Sequence, residues 1–334
     1  MAMTDGAVHL APPPPGAWVP VPTFFSKSTP SSTQAPVDLA TQIKHSVHLA
    51  KSGITGLVLL GSTGEAVHLS REERKDLVAG VRSGMADAGY PDYPIMAGIL
   101  TNSVDDVLEN LKDMHEAGAD WGLVLAPGYF GAVVDQANII EWYTQIADAS
   151  PIGILIYNYP GVTNNLWIAP ETYFKLAGHP KILGCKMSHG NMSHHIQVAL
   201  APQIDHSLFR LYSGFGQQAF PVVSCGGAGV IDGLASVYPA VVSTLHRLAT
   251  APSIGPEALL RIQKLQWLVS RGYETMGKYG IVGFKEGICR ELKLGTMEGG
   301  RLPLKGKMPE GEWEKWSDVF DALREEEKRC LSGV

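Results

Sequence analysis

From residue 16 onward the chain repeats one pattern: a short apolar run, a polar or glycine-rich turn, then a longer amphipathic stretch. Parallel strands joined by crossover helices leave that signature. The apolar runs predict about eight strands, over 18–22, 56–60, 95–98, 122–125, 153–157, 182–186, 209–213 and 229–231. Helices fit between and after them, over 36–51, 70–88, 103–117, 135–149, 169–176, 193–199, 214–223 and 236–249. The second has a clear start, because Ser70 can cap it while Glu72 and Glu73 meet the positive end of its dipole. Eight strands alternating with eight helices suggest an α/β fold closed into a (β/α)₈ TIM barrel, although an open doubly wound sheet has the same local pattern.

Past residue 250 the strand pattern stops and 256–272, 283–294 and 312–328 read as helices. The organisation expected is a flexible head over 1–15, a catalytic barrel over 16–250 and a helical C-terminal extension over 251–334. The Pro12 to Pro15 run and the charged tail from Arg324 to Arg329 read as solvated ends.

Composition narrows the class of partner. A chain of 334 residues, 45% hydrophobic and 18% charged, can bury one large core. A net charge of -6 gives no basic footprint for nucleic acid or an anionic membrane. Cys185, Cys225, Cys289 and Cys330 are scattered without a CxxC pair, so neither a zinc spacing nor a disulfide framework is visible. No apolar run reaches the roughly 18 to 20 residues of a membrane span. Residues 1–22 contain no Lys or Arg, unlike a mitochondrial presequence, so a cytoplasmic location is expected.

The candidate chemistry sits at strand ends. Lys186 closes the apolar run Ile182-Leu183-Gly184-Cys185, at the rim where a barrel places its active site. Partial burial there would lower its pKa and free the amine to attack a carbonyl. A lysine snorkelling to the rim is the other reading, and position alone leaves both open. The preceding strand ends at Tyr157, before the Pro160-Gly161 turn, and a phenol there can relay protons or simply pack; Tyr159 fits packing better. Gly61-Ser62-Thr63-Gly64-Glu65 ends the second strand with two hydroxyls and exposed amides, a set of donors suited to a carboxylate, or a tight turn before a capped helix.

Other motifs are weaker. Gly214-Phe215-Gly216-Gln217-Gln218-Ala219, with Asp232 downstream, has the form of a dinucleotide fingerprint but follows six other strands instead of opening a Rossmann unit. Gly226-Gly227-Ala228-Gly229-Val230-Ile231 reads as backbone that approaches a small ligand closely. His189, His194 and His195 bring a metal-dependent aldolase into consideration, but adjacent histidines share no helix face and no carboxylate completes a zinc set, so exposed loop histidines and no metal are expected.

In order and spacing, Gly61-Ser62-Thr63-Gly64-Glu65, the turn from Tyr157 to Thr163 and Gly184-Cys185-Lys186 resemble the dihydrodipicolinate synthase/N-acetylneuraminate lyase family over about residues 16 to 290. The resemblance implies that Lys186 forms an imine with pyruvate or a pyruvyl moiety and that Tyr157 shuttles protons. It further implies that Ser62 and Thr63 contact the substrate carboxylate, that Ile231 lines the pyruvate pocket, that no cofactor is needed beyond this covalent imine, and that the protein is a homotetramer built as a dimer of dimers. Three positions depart from the family pattern. Val162 stands where the synthases usually carry an Arg, and valine cannot pair bidentately with a carboxylate. Met187-Ser188-His189-Gly190-Asn191 differs from the usual D-S-S-G-D. Pro127-Gly128-Tyr129-Phe130 only partly matches the P-x-Y-Y element, so Tyr129 either serves a relay into a neighbouring subunit or that relay is absent.

These features favour a class I lyase that cleaves a 2-oxo-3-deoxy sugar acid or 4-hydroxy-2-oxoglutarate to pyruvate and an aldehyde. His189, Asn191, Gln217 or Ser213 are expected to read the aldehyde half. The rivals are a synthase-type condensation of pyruvate with an aldehyde and a barrel that binds a metabolite without catalysis.

Overall fold

A computed structural model describes residues 10–27 and 33–333. Eight parallel strands close a barrel in sequence order. They are β1 (Gly16–Pro20), β2 (Gly56–Leu59), β3 (Ile95–Ile99), β4 (Trp121–Leu125), β5 (Gly153–Asn158), β6 (Ile182–Met187), β7 (Arg210–Ser213) and β8 (Gly229–Ile231). The outer ring comprises α1 (Leu39–Lys51), α2 (Arg71–Asp87), α3 (Val104–Glu116), α4 (Gln136–Ala149), α5 (Pro170–Leu176), α6 (Met192–Ala199), α7 (Ala219–Ser224) and α8 (Pro239–Ala249). The extension adds α9 (Pro256–Lys278), α10 (Gly280–Leu292), α11 (Glu312–Lys315) and α12 (Ser317–Ser332). The TIM barrel with a helical extension is therefore the fold, and the open sheet is not.

Side-chain alternation divides the apolar residues into two cores. Trp18, Val58, Met96, Leu123, Leu155, Tyr157, Tyr212 and Ile231 fill the barrel interior. The alternate strand residues, among them Val19, Leu57, Ile156, Cys185 and Val230, pack outward against the helices. Polar caps set several helix starts in the outer ring: Asp38, Ser103, Asp135 and Asn191 each accept a backbone N–H of the first turn. At α2, Ser70 and Glu73 form a reciprocal capping box.

Three departures from the expected elements have local causes. The helix expected over 214–223 begins only at Ala219, after a 3₁₀ turn over Gly216–Gln218, because Gly214 and Gly216 are fixed by contacts described below. Gly272 does not end α9; it lies in the helix interior, where a Cβ would meet Leu323 Cδ1 at 2.6 Å, so glycine serves close packing against α12. The last helix divides at Trp316, which caps α12.

The proline-rich head is also ordered where it is described. Trp121 donates to Ala11 O at 2.9 Å, Trp18 to Pro14 O at 3.1 Å and the Tyr212 hydroxyl to Pro13 O at 2.7 Å. Residues 11–15 thus close the barrel floor instead of forming a flexible, solvated end; residues 1–9 lie outside the described ones. No helix among the described residues is long and apolar enough to cross a membrane.

Candidate active site

Strand register brings the two main candidates together. Tyr157 on β5 pairs with Lys186 on β6, and the Lys186 Nζ lies 4.4 Å from the Tyr157 ring centroid. Lys186 is 4% exposed. Burial pushes its ammonium down to about 7, with Asp232 opposing; at neutral pH a large fraction is therefore the free amine that a carbonyl requires. Burial pushes the Tyr157 phenol up to about 12, with hydrogen bonds to Ser62 and Ser188 opposing. It stays protonated, so it can donate to an oxygen and pass protons through its hydroxyl neighbours.

The hydroxyl loop after β2 supplies those neighbours. Ser62 Oγ lies 3.3 Å from Tyr157 Oη. Thr63 is half-buried beside it. Leu60 and Glu65, at either end of this loop, hold left-handed φ values of 58° and 53°, a cost non-glycine residues bear where the surrounding structure dictates the turn. What dictates it is visible: Thr23 Oγ1 donates to Gly64 O at 2.6 Å, and Glu65 is fully buried in an ion pair with Lys285 of α10. Ile231 shares the interior core with Tyr157.

Ser62 also lines a cavity of about 420 Å³ that opens outward past Leu100, Asn102, Tyr129, Val162 and Thr163. Val162 is 49% exposed on its wall, and neither Lys nor Arg is among the described residues lining it. A larger cavity of about 530 Å³ lies elsewhere, between residues 25–27 and 33–35 and the loop carrying Arg301, and Lys186 does not line it.

Of the expected ligand contacts, Tyr129 stays on the cavity wall, while Ser213 and His189 are placed differently. Tyr129 is 74% exposed on the cavity's outer wall, edge-on to Phe130, and is not hydrogen-bonded to Tyr157. Ser213 is buried with its hydroxyl committed to the protein: it donates to Gln218 Oε1 at 2.6 Å and accepts from Phe215 N at 3.1 Å. Gln218 in turn donates to His189 O at 3.0 Å. His189 is a buried ring packed on Trp167, His194 and His195, with centroids 4.8, 6.0 and 4.8 Å away. The expectation of exposed loop histidines is thus overturned for His189 and His195, both buried. Burial and the neighbouring His195 and His194 push His189 down to about 3, so it is neutral. Asn191 caps α6. Among the described residues no group of three His, Cys, Asp or Glu is arranged to hold a metal.

Two residues that sequence reading did not assign to the site belong beside it. Ser188 lies close enough to the Tyr157 phenol to act on it, and its place two residues after Lys186 is the signal that put it on the same face. Asp232, noted only as the acidic member of a false dinucleotide fingerprint, is the charged neighbour of Lys186. The glycines of that fingerprint have steric reasons. A Cβ on Gly214 would collide with the Ser188 hydroxyl, and one on Gly216 would lie 2.6 Å from the Asp232 carboxyl carbon. Tyr273 reaches the site region from α9, ringed by Phe215 and Phe284, and no local pattern marks it.

Comparison with known proteins agrees with this geometry. The model of the Dihydrodipicolinate synthetase family matches residues 23–275. A protein of Emericella nidulans named "Probable 4-hydroxy-2-oxoglutarate aldolase, mitochondrial" is 35% identical over 274 residues, covering 82% of this chain and 84% of the relative. The L-threo-3-deoxy-hexylosonate aldolase of Hypocrea jecorina is 34% identical over 303 residues, 89% of this chain and 92% of the relative. The crystal structure of a dihydrodipicolinate synthase family protein from Coccidioides immitis superposes with a TM-score of 0.78 at 28% identity, over 95% of this chain and 98% of the other. The chain belongs to the dihydrodipicolinate synthetase family, as a carbon–carbon lyase of the aldolase type.

Proposed function

We propose that the protein is a class I aldolase that cleaves a 4-hydroxy-2-oxo acid to pyruvate and an aldehyde through an imine on Lys186, without a further cofactor. The observation that carries this reading is the buried Lys186 amine, brought down to about 7, packed on a protonated tyrosine whose hydroxyl meets a Ser-Thr loop.

In that mechanism the neutral amine adds to the C2 carbonyl, and the carbinolamine loses its oxygen as water after accepting a proton from Tyr157. The resulting iminium draws electrons from C3. Tyr157 then takes the proton of the C4 hydroxyl, the C3–C4 bond breaks, and its electron pair moves into the enamine as the aldehyde forms. Protonation at C3 and addition of water return pyruvate and the free lysine. Ser62 and Thr63, with their backbone amides, are suited to the substrate C1 carboxylate.

For the aldehyde half, the cavity beyond Ser62 offers the Thr101 hydroxyl and the Asn102 amide, with no Lys or Arg on its described wall. That lining suits a neutral hydroxylated chain, hence a 2-oxo-3-deoxy sugar acid ahead of 4-hydroxy-2-oxoglutarate, whose aldehyde half carries a second carboxylate. The same wall, with Val162 in place of a cation, disfavours condensation of pyruvate with a carboxylate-bearing aldehyde. Assembly as a dimer of dimers would bring a partner's residues to the exposed rim at Tyr129 and is read by light scattering. A cytoplasmic location is the reading of residues 1–22, against a relative named mitochondrial, and imaging of the tagged full-length chain decides it.

The test is to incubate the protein with pyruvate and borohydride and locate the reduced adduct by peptide mass, then to follow pyruvate release from a panel of 2-oxo-3-deoxy acids and 4-hydroxy-2-oxoglutarate. An adduct at Lys186 that is missing in Lys186→Ala supports the mechanism. The same adduct in both proteins, or none in either, sinks it; an adduct with no release from any substrate supports the binding-only barrel instead.

A further inference from the structure

The hydroxyl loop runs into a histidine that the mechanism leaves unused. Glu65 opens a 3₁₀ turn over Ala66–His68 from a left-handed φ of 53°. Both backbone groups of His68 are fixed by this turn and its surroundings: the N–H donates to Glu65 O at 2.8 Å, and the carbonyl accepts from Arg301 Nη1 at 2.7 Å. The ring is fixed too, with Nδ1 3.2 Å from Glu65 Oε2. Glu65 is buried and ion-paired with Lys285, so its carboxylate is the acceptor and Nδ1 carries the proton. Nε2 is then the open atom of the ring, without a partner among the described residues. A carboxylate behind one nitrogen orients an imidazole for contacts made by the other.

His68 lines the cavity of about 420 Å³ onto which Ser62 opens. Part of the polar wall there is already committed: Thr163 Oγ1 donates to Tyr159 O at 3.0 Å, and Asn164 Nδ2 donates to Gly128 O at 3.0 Å and to Tyr129 O at 2.9 Å. What remain are His68 Nε2, the Thr101 hydroxyl and the amide N–H groups of Asn102, whose Oδ1 accepts from Tyr129 N at 3.1 Å. Val162, Ile281 and Leu304 supply apolar lining beside them. Such a mixed wall matches a short chain that carries both hydroxyls and C–H faces.

We propose that His68 is a specificity-determining residue, whose Nε2 hydrogen-bonds a hydroxyl of the aldehyde half beyond C4. This rests on the imine reading and on that cavity as the place of the aldehyde half. A hydroxyl meets the ring in either protonation state, donating to the bare nitrogen or accepting from its N–H, whereas a carboxylate can only accept. The substrate class selected is therefore a 2-oxo-3-deoxy sugar acid with a free hydroxyl on C5 or C6.

The experiment compares wild type, His68→Asn and His68→Gln on 2-oxo-3-deoxy sugar acids and on 4-hydroxy-2-oxopentanoate, which has no hydroxyl beyond C4. The Asn amide stands in for Nδ1 and keeps the Glu65 contact while losing the cavity contact; the Gln amide stands in for Nε2 and does the reverse. KM for the sugar acid should rise about tenfold in His68→Asn and about threefold or less in His68→Gln, and rise less for the truncated acid in both. KM does not depend on how much of a variant is folded, so a loss of stability does not imitate this order. A sugar-acid KM in His68→Asn equal to that of wild type, or a larger rise in His68→Gln, makes His68 a strut for Glu65 and overturns the proposal while leaving the imine reading intact. A wild type that forms the Lys186 adduct yet releases pyruvate from no sugar acid overturns it as well. No wild-type adduct at Lys186 would overturn both readings.

Discussion

The molecule buries two lysines to the same degree and does opposite things with them. Lys186 and Lys285 are each 4% exposed. Lys285, on α10 of the extension, is ion-paired with Glu65 and donates to Gly299 O at 2.7 Å; Glu65 also contacts His68 Nδ1 at 3.2 Å, and Arg301 nearby reaches Glu73 and His68 O. Burial lowers Lys285 too, but the ion pair and hydrogen bond with Glu65 push back. Lys186 has an aromatic face and one acidic neighbour, with no ion pair of its own. Burial alone therefore does not set the state of a lysine; whether a carboxylate is bonded to it does as well. Lys285 spends its charge on joining the extension to the hydroxyl loop.

Replacing the two residues should separate these roles. Lys186→Met is expected to lower kcat for cleavage by about 10⁴-fold or more, since the covalent route is lost. Lys285→Met touches no reacting atom and should leave the folded fraction able to form the pyruvate adduct. If Lys285→Met abolishes the adduct while the protein remains folded by circular dichroism, the contrast between the two lysines is wrong.

The next effect falls on stability. Removing Lys285 strands the Glu65 carboxylate in a buried site, which costs about 3 kcal/mol in denaturant unfolding. Glu65→Gln added to Lys285→Met should recover much of that loss. A single variant as stable as wild type would mean that the pair contributes nothing to docking the extension.

Tyr157→Phe sharpens the chemical side. It keeps the ring beside Lys186 and removes the relay, so kcat should fall about 10²- to 10³-fold while the borohydride adduct still forms, more slowly. An unchanged kcat would move the proton relay to Ser62 or Ser188.

Lys186 and Tyr157 were legible because motif order and strand ends both mark them, and the barrel followed from the regular alternation of runs. Strand parity, applied further, would have corrected two assignments. Lys186 faces inward, so Ser188 does too and His189 turns outward onto Trp167. Tyr212 faces inward, so Ser213 turns out toward Gln218. Other features had no local signal at all. The Glu65–Lys285 pair joins residues 220 positions apart, Tyr273 arrives from α9, and the Pro13 contact with Tyr212 ties the head to the seventh strand. Each depends on how distant segments meet, which hydrophobic periodicity does not encode.

The smallest effect tests the comparison most directly, because it predicts opposite signs. Lys186 carries a folded-state pKa of about 7, below the ordinary 10.5, so between these values the unfolded chain binds more protons and stability rises with pH. Below about pH 7 the folded protein must hold a buried ammonium. Lys186→Met relieves that cost, and at pH 6 it should be more stable than wild type by about 1–2 kcal/mol, with the gain shrinking as pH rises toward 10. Lys285→Met should be less stable than wild type at pH 6. Urea titrations of both variants at pH 6, 8 and 9.5 read this out. A Lys186→Met protein less stable at every pH would mean that the active-site lysine is held by favourable contacts like those of Lys285, and that its depressed pKa is not stored strain.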